Sequence, residues 1–166
     1  MFDAQGLSTH PVDVGIRSEG AILGELSKRG YDVYAPFSYN SRFDFLIDAG
    51  DRFIRAQCKT GRRRGGAIIF NKVSTRSNMT LVERRPYGPN DVDIFLVYYA
   101  ANDTVYAIAI DEVSRGLSSL RLEPTGNSRS RGIHWATDYV LGVGVRALMA
   151  LPPAPGRGLR LASVPE

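Results

Sequence analysis

Four polar side chains between residues 19 and 59 have the types and the spacing that phosphodiester chemistry uses. Gln57 and Lys59 are two positions apart, so in a β-strand they project from the same face, about 7 Å from each other. Asp44 and Glu19 precede them in the chain. A carboxylate is a hard oxygen ligand for Mg²⁺, and a nearby ammonium can stabilise negative charge on an attacked phosphate. The grouping indicates metal-assisted hydrolysis, although each residue taken alone also fits an ordinary surface position.

A β-hairpin is predicted to position three of these residues. Its first strand is predicted over residues 43–48 and its second over 52–60. Because side chains alternate between the two faces of a strand, Asp44, Gln57 and Lys59 can meet on one face. A carboxylate, an amide and an ammonium would then lie together at the end of a sheet.

A helix is predicted over residues 13–29, ended by Gly30. Its apolar side chains fall on one stripe of the helix surface. The stripe consists of Val12, Ile16, Ile22, Leu23 and Leu26. Glu19 falls inside this stripe, and a carboxylate that faces a core is costly unless a cation or a paired charge compensates it. We expect the helix to pack on the sheet face that carries the other three polar residues; the alternative is that Glu19 lies at the rim or pairs with an arginine.

The order of these residues resembles the PD-(D/E)XK nuclease superfamily: a glutamate on the first helix, an aspartate at the start of a strand, and an acid-x-lysine on the next strand. Local strings are more specific and resemble the group I intron-associated PD-(D/E)XK homing endonucleases. These strings include Ser18-Glu19-Gly20, Asn40-Ser41-Arg42-Phe43-Asp44 and Arg55-Ala56-Gln57-Cys58-Lys59-Thr60-Gly61. The resemblance covers roughly residues 14–139.

The resemblance implies an α/β (α+β) fold with a restriction-endonuclease-like core, in which helices flank a central mixed β-sheet. It implies Glu19, Asp44, Gln57 and Lys59 as catalytic residues, with Mg²⁺ (or Mn²⁺) held by the first three. Gln57 stands where most of the superfamily has Asp or Glu, and the homing endonuclease branch resembles this chain in having glutamine there. An amide oxygen can ligate a metal but brings no charge, so loss of activity stays an alternative.

Basic residues next to this group are the predicted DNA contacts. Residues 61–66 are predicted to form a basic, glycine-bearing turn, and residues 74–89 a polar, basic loop. Guanidinium groups bind phosphates well, which favours a backbone-binding role; the alternative is a solvated turn. The predicted phosphate contacts are Arg42, Arg62, Arg63 and Arg64.

Together these features predict a Mg²⁺-dependent endonuclease that hydrolyses phosphodiester bonds, and the resemblance to the homing endonucleases implies double-stranded DNA as its substrate. The resemblance also implies an oligomeric enzyme, a homodimer or homotetramer, since cutting two strands calls for two sites related by symmetry. The alternatives are a Holliday-junction resolvase-like nuclease and a catalytically inactive DNA-binding protein on a nuclease fold.

Composition sets the remaining expectations. The 166 residues carry a formal net charge of +4, which permits a polyanionic partner. Cys58 is the single cysteine, so no internal disulfide can form. With neither a signal-peptide pattern nor a membrane-length apolar run in the sequence, we expect a cytoplasmic protein and no membrane partner. Residues 1–145 are expected to form one nuclease-like domain, and the Gly-, Ala- and Pro-containing residues 146–166 a flexible tail.

Overall fold

The computed structural model describes residues 6–38, 41–77, 82–124 and 132–155. The helices are α1 (Pro11–Lys28), α2 (Ile110–Ser114) and α3 (Val145–Ala150). The strands are β1 (Asp32–Tyr34), β2 (Phe45–Asp48), β3 (Phe53–Thr60), β4 (Arg62–Arg64), β5 (Ala67–Ile69), β6 (Val73–Ser77), β7 (Val82–Pro86), β8 (Ile94–Tyr99), β9 (Thr104–Ala109) and β10 (Ser119–Arg121). None of the described helices combines the length and the apolar character that crossing a membrane would need.

Five strands form the core sheet, in the order β1-β2-β3-β8-β9. Its neighbours are antiparallel except for β3 and β8, which run parallel. A parallel pair requires a crossover connection, and here the crossover contains β4 to β7. The β2–β3 pair is the predicted hairpin, with Phe45 opposite Ala56 and Asp48 opposite Phe53. The predicted fold class, a central mixed sheet with flanking helices, is confirmed.

Helix α1 has clear start and stop signals. Pro11 is its first residue, where the missing N–H has no intrahelical partner to lose, and the His10 side chain accepts a hydrogen bond from the Val12 N–H at 3.4 Å. Gly30 follows the helix with φ +83°, a conformation that favours glycine. The helix predicted over residues 13–29 is confirmed, and it begins two residues earlier.

The buried face of α1 differs from the predicted apolar stripe. Ser18, Ile22 and Leu26 are its buried residues, at intervals of one helical turn. Three residues of the predicted stripe are exposed instead: Val12 (60%), Ile16 (61%) and Leu23 (39%). On the observed face Ile22 and Leu26 pack in the core cluster, and the Ser18 hydroxyl is hydrogen-bonded to Thr60 of β3. Glu19 consequently lies on the exposed side, and its predicted place in a core-facing stripe is wrong.

Strand β3 separates the two faces of the core sheet. Ala56 and Cys58 lie in the buried cluster beneath α1. Gln57 and Lys59 therefore project from the opposite face, which we call the polar face; there Gln57 neighbours Phe95 of the second buried cluster. The expectation that α1 packs on the polar face is wrong, because the helix buries apolar side chains and packs against the apolar alternates of β3.

The crossover between β3 and β8 is more regular than the sequence suggested. Strand β4 pairs with β5, and β5 pairs with β10, which gives a three-stranded small sheet. The tight turn lies at Gly65 and Gly66, with φ +54° and +71°. Strands β6 and β7 form an antiparallel hairpin. The predicted basic turn over residues 61–66 and the predicted loop over 74–89 are therefore wrong where these strands form.

The end of the described chain returns to the core. Residues Ala136–Tyr139 form a 3₁₀ helix. Helix α3 follows, and Ala147 and Leu151 are fully buried in the cluster beneath α1. Folded structure thus continues through part of the segment expected to be a tail, and residues 156–166 lie outside the described part of the chain.

Candidate active site

Asp44 is held rigidly at the start of β2. Its N–H donates to the Ala56 carbonyl at 2.9 Å, which extends the β2–β3 ladder by one residue. Its Oδ2 accepts hydrogen bonds from the Cys58 N–H at 2.7 Å and from Gln57 Nε2. The backbone of β3 therefore fixes the direction of this carboxylate.

Gln57 is one of the few buried polar residues in the described chain, with 8% of its surface exposed. Its amide nitrogen donates to Asp44. In this orientation the amide oxygen is the ligand atom that Gln57 offers to a cation.

Lys59 lies on the polar face, two residues beyond Gln57 in β3. Its Nζ is 4.7 Å from the centroid of the Tyr87 ring and 5.6 Å from that of Phe95. Burial lowers the pKa of Lys59 and outweighs the opposing effect of the Asp44 charge. The ammonium is therefore partly withdrawn from water and lies within the electrostatic field of Asp44.

Glu19 is the fourth predicted site residue, and it lies on α1, which packs on the opposite face of the sheet from Gln57 and Lys59. It is exposed as a residue, yet partial burial of its carboxyl and then the charge of Asp44 raise its pKa. Its neighbour Ser18 is hydrogen-bonded to Thr60 at 2.7 Å, which holds this turn of α1 against the end of β3. The four predicted site residues therefore lie near one another, joined by the Gln57–Asp44 hydrogen bond and by the charges that act between Glu19, Asp44 and Lys59.

The donor set fits a hard divalent cation. Burial raises the pKa of Asp44, and burial followed by the charge of Asp44 raises the pKa of Glu19, so each carboxylate would gain from a nearby cation. No group of three or more His, Cys, Asp or Glu side chains with metal-binding spacing occurs in the described ranges. The set is therefore two carboxylates and the Gln57 amide, all oxygen ligands of the kind Mg²⁺ takes alongside water and phosphate.

The three arginines after Lys59 form β4, and all are exposed. Arg62 lines a cavity of about 510 Å³ together with Lys59 and Phe70. Side chains alternate along β4, and Arg63 forms an ion pair with Glu123 of the segment after β10. Arg62 therefore lies beside the polar group, whereas Arg63 is engaged within the protein.

Arg42 is also engaged within the protein. Its Nε and Nη2 donate to the two carboxylate oxygens of Asp91 at 3.2 and 3.0 Å. It also donates to Ser74 Oγ at 2.6 Å and to the Pro86 carbonyl at 3.0 Å. The hydrogen bond from Arg42 is the main reason that the pKa of Asp91 is lowered. In the structure the Arg42 guanidinium joins β6, β7 and the segment before β8. Its predicted contact with a DNA phosphate stays a prediction.

Sequence reasoning missed Tyr87, Asp91 and the Ser18–Thr60 pair. Tyr87 lies between Pro86 and Gly88, a composition that indicates a loop, and nothing in its spacing connects it with Lys59. Each of these contacts joins residues that are distant in the chain, so no periodicity could have found them.

A mixed sheet with an acidic helix residue, a strand-start aspartate and a glutamine-x-lysine pair at one end defines a nuclease core of the restriction-endonuclease-like type. The family described as PD-(D/E)XK endonuclease matches residues 9–142, and the chain belongs to that family. The family resemblance predicted from the sequence is confirmed.

A solved structure with a similar fold is that of a bacterial homing endonuclease, I-Ssp6803I. It is 20% identical to this chain, with a TM-score of 0.63 and coverage of 80% of this chain and 89% of that one. At this level of identity the likeness shows the fold. No curated protein matches the sequence significantly.

Proposed function

We propose that this nuclease is an endodeoxyribonuclease that hydrolyses phosphodiester bonds of double-stranded DNA and depends on Mg²⁺, with Mn²⁺ as a substitute. The observation that carries the proposal is the arrangement of Asp44, whose carboxylate is fixed by Gln57 and the Cys58 N–H beside the Lys59 ammonium. The family of the chain and the homing endonuclease named above support a DNA substrate.

Three residues would hold the ion: Asp44 and Glu19 through carboxylate oxygens and Gln57 through its amide oxygen. When bound, a divalent ion neutralises charge on the attacked phosphoryl group and makes a water more acidic. Lys59 would stabilise the negative charge that develops on the phosphate, because its partly buried ammonium acts in a medium less polar than water. Asp44 is pre-oriented by its two hydrogen bonds, so little reorganisation is needed when substrate binds.

The basic strand β4 would bind the DNA backbone. Arg62 and Arg64 are exposed and share a face by alternation, and Arg62 lines the cavity beside Lys59. Phosphate contacts by arginine release counterions, so the affinity for DNA should fall as salt rises.

Cleavage of supercoiled plasmid in Mg²⁺, in Mn²⁺ and in a chelator tests the proposal directly. Asp44→Ala and Lys59→Ala should each lower the cleavage rate by roughly 100-fold or more, because each removes a charge that acts in the transition state. Circular dichroism should show that both variants stay folded. Cleavage that persists in the chelator, or in both variants, would remove these residues from the mechanism.

Helix α1 contains a second glutamate, Glu25, that serves as a control for Glu19. Glu25 lies on the same helix and forms an ion pair with Arg29 at 2.8 Å, away from the polar group. Glu19→Gln should lose activity that high Mg²⁺ partly restores, whereas Glu25→Gln should cleave like the wild type. Equal behaviour of the two variants would exclude a metal-binding role for Glu19.

A second candidate is a catalytically inactive DNA-binding protein, which the neutral amide of Gln57 favours. Such a protein would bind DNA in a salt-dependent manner and would not cleave it with any divalent ion. Gel-shift titration beside the plasmid assay separates the two candidates.

A further inference from the structure

The ammonium of Lys59 is placed by aromatic rings. Its Nζ lies 4.7 Å from the centroid of Tyr87 and 5.6 Å from that of Phe95, within the range at which a ring face attracts a cation. The two rings meet edge to face, with centroids 5.4 Å apart and planes at 86°. The ion pairs found within the described ranges do not include Lys59. Within those ranges the Tyr87 and Phe95 rings are the aromatic groups close to this ammonium, which also lies in the electrostatic field of the Asp44 and Glu19 carboxylates.

The Tyr87 ring is itself held in place. It is 9% exposed, and the guanidinium carbon of Arg42 lies 4.3 Å from its centroid. Arg42 is in turn fixed by both oxygens of Asp91 and by Ser74 Oγ. The guanidinium next to the Tyr87 ring is thus itself anchored by hydrogen bonds.

We propose that Tyr87 is a positioning residue for Lys59: its π face holds the ammonium at the end of β3, beside Asp44. The inference rests on the proposed nuclease function for its effect on rate. A lysine side chain has four rotatable bonds, and an ammonium without a fixed partner would sample many positions. The ring restricts it to the region where the attacked phosphate would lie, and it does so without neutralising its charge, as a carboxylate partner would.

A purely structural role for Tyr87 predicts that any side chain of equal volume serves as well. Replacement of residue 87 by phenylalanine and then by mono-, di- and trifluorophenylalanine tests this. Fluorine withdraws electron density from the ring face and so weakens its attraction for a cation, while it changes the ring volume little. The single-turnover cleavage rate in Mg²⁺ should fall stepwise from Tyr87→Phe onward, by a total of roughly 2- to 30-fold. The affinity for DNA in the absence of divalent ions should stay within about twofold. A flat rate across the series would overturn the inference.

Tyr99 offers a matched control position. It is 8% exposed and lies in the same buried cluster as Tyr87, whereas the rings near the Lys59 ammonium in the described chain are Tyr87 and Phe95. The same fluorinated series at position 99 should leave the cleavage rate unchanged. An equal decline at both positions would assign the effect to packing and would also overturn the inference.

A second measurement does not depend on cleavage. The chain has three lysines, Lys28, Lys59 and Lys72, so a protein labelled with ¹³C at the lysine ε-carbon gives three ε-methylene signals. Ring currents should shift the Lys59 protons upfield of the other two in the wild type, and Tyr87→Leu should move them back. If the wild type shows the shift and does not cleave DNA, the placement of Lys59 stands and the nuclease function fails. An unshifted Lys59 signal in the wild type overturns the inference itself.

Discussion

Asp44 is the most buried carboxylate of the site, and Gln57 makes its burial tolerable in the absence of a metal. Burial raises the pKa of Asp44, while the Cys58 N–H and the Lys59 charge oppose that rise. The Gln57 amide adds a further donor to the same oxygen. An acid at position 57 would bring a second negative charge to within hydrogen-bond distance of Asp44, where the amide brings a donor. Compared with an acid, the glutamine therefore attracts a cation less strongly but makes the metal-free protein more stable.

The Gln57→Glu variant should therefore be less stable without a metal and should bind Mg²⁺ more tightly. In a chelator the variant should be less stable than the wild type by about 1–3 kcal/mol, because a buried hydrogen bond becomes a contact between two acids. This corresponds to a fall in Tm of about 2–4 °C for each kcal/mol in a protein of this size. Added Mg²⁺ should raise the Tm of the variant more than that of the wild type, since the site then has three carboxylates. Thermal unfolding with and without Mg²⁺ measures both effects.

Gln57→Met serves as the control for this experiment. It removes the donor to Asp44 and adds no charge, so its loss of stability should persist when Mg²⁺ is added. If Gln57→Glu gains no more from Mg²⁺ than Gln57→Met does, then position 57 does not face the cation.

At the scale of elements, α1 meets the core sheet through the buried Ile22 and Leu26 side chains and through one hydrogen bond to the end of β3. The Ser18 hydroxyl contacts Thr60 at 2.7 Å and also donates to the Val14 carbonyl at 3.0 Å within the helix. Since Glu19 follows Ser18 and Thr60 follows Lys59, this contact fixes the distance between two site residues on different elements. It also explains why Glu19 reaches the polar group although α1 packs on the opposite face of the sheet.

Thr60→Val removes this contact and keeps the shape of the side chain. It should cost about 1 kcal/mol of stability and raise the Mg²⁺ concentration for half-maximal cleavage several-fold, because Glu19 is no longer held in place. Thr104→Val is a control on another strand: its hydroxyl donates to the Asn102 carbonyl at 2.9 Å, at the start of β9, which lies two strands from β3 in the core sheet. That variant should lose similar stability without a change in Mg²⁺ dependence. A Thr60→Val protein with wild-type Mg²⁺ dependence would show that the contact serves the fold alone.

At the scale of the whole molecule, local patterns predicted the elements that carry the site and failed on how they pack. The alternation in residues 43–60 predicted the β2–β3 hairpin and the sharing of one face by Asp44, Gln57 and Lys59. Alternation indicates which residues share a face of a strand, but it does not indicate against which face a helix packs. The prediction that α1 packs on the polar face was therefore wrong. Composition also failed for β6 and β7, whose strands are too polar to be distinguished from a loop.

Contacts between segments that are distant in the chain could not be predicted either, because local patterns do not show which elements pack together. Tyr87 meets Lys59 across 28 positions, and Ala147 of α3 joins the buried cluster of α1 from a segment whose prolines and glycines indicate a tail. Tertiary packing decided these arrangements, and a single sequence carries no record of it.

The last expectation concerns assembly, which the proposed cleavage of both DNA strands requires. The described chain contains one group of Glu19, Asp44, Gln57 and Lys59, and antiparallel strands present their phosphates to two sites related by a twofold axis. Light scattering after size exclusion should give twice or four times the mass of the single chain. Wild-type and Lys59→Ala subunits, co-expressed with different tags and purified through both, should mainly nick supercoiled plasmid, whereas all-wild-type assemblies should linearise it. A monomeric mass, or mixed assemblies that linearise as well as the wild type, would show that each chain cuts independently of a partner.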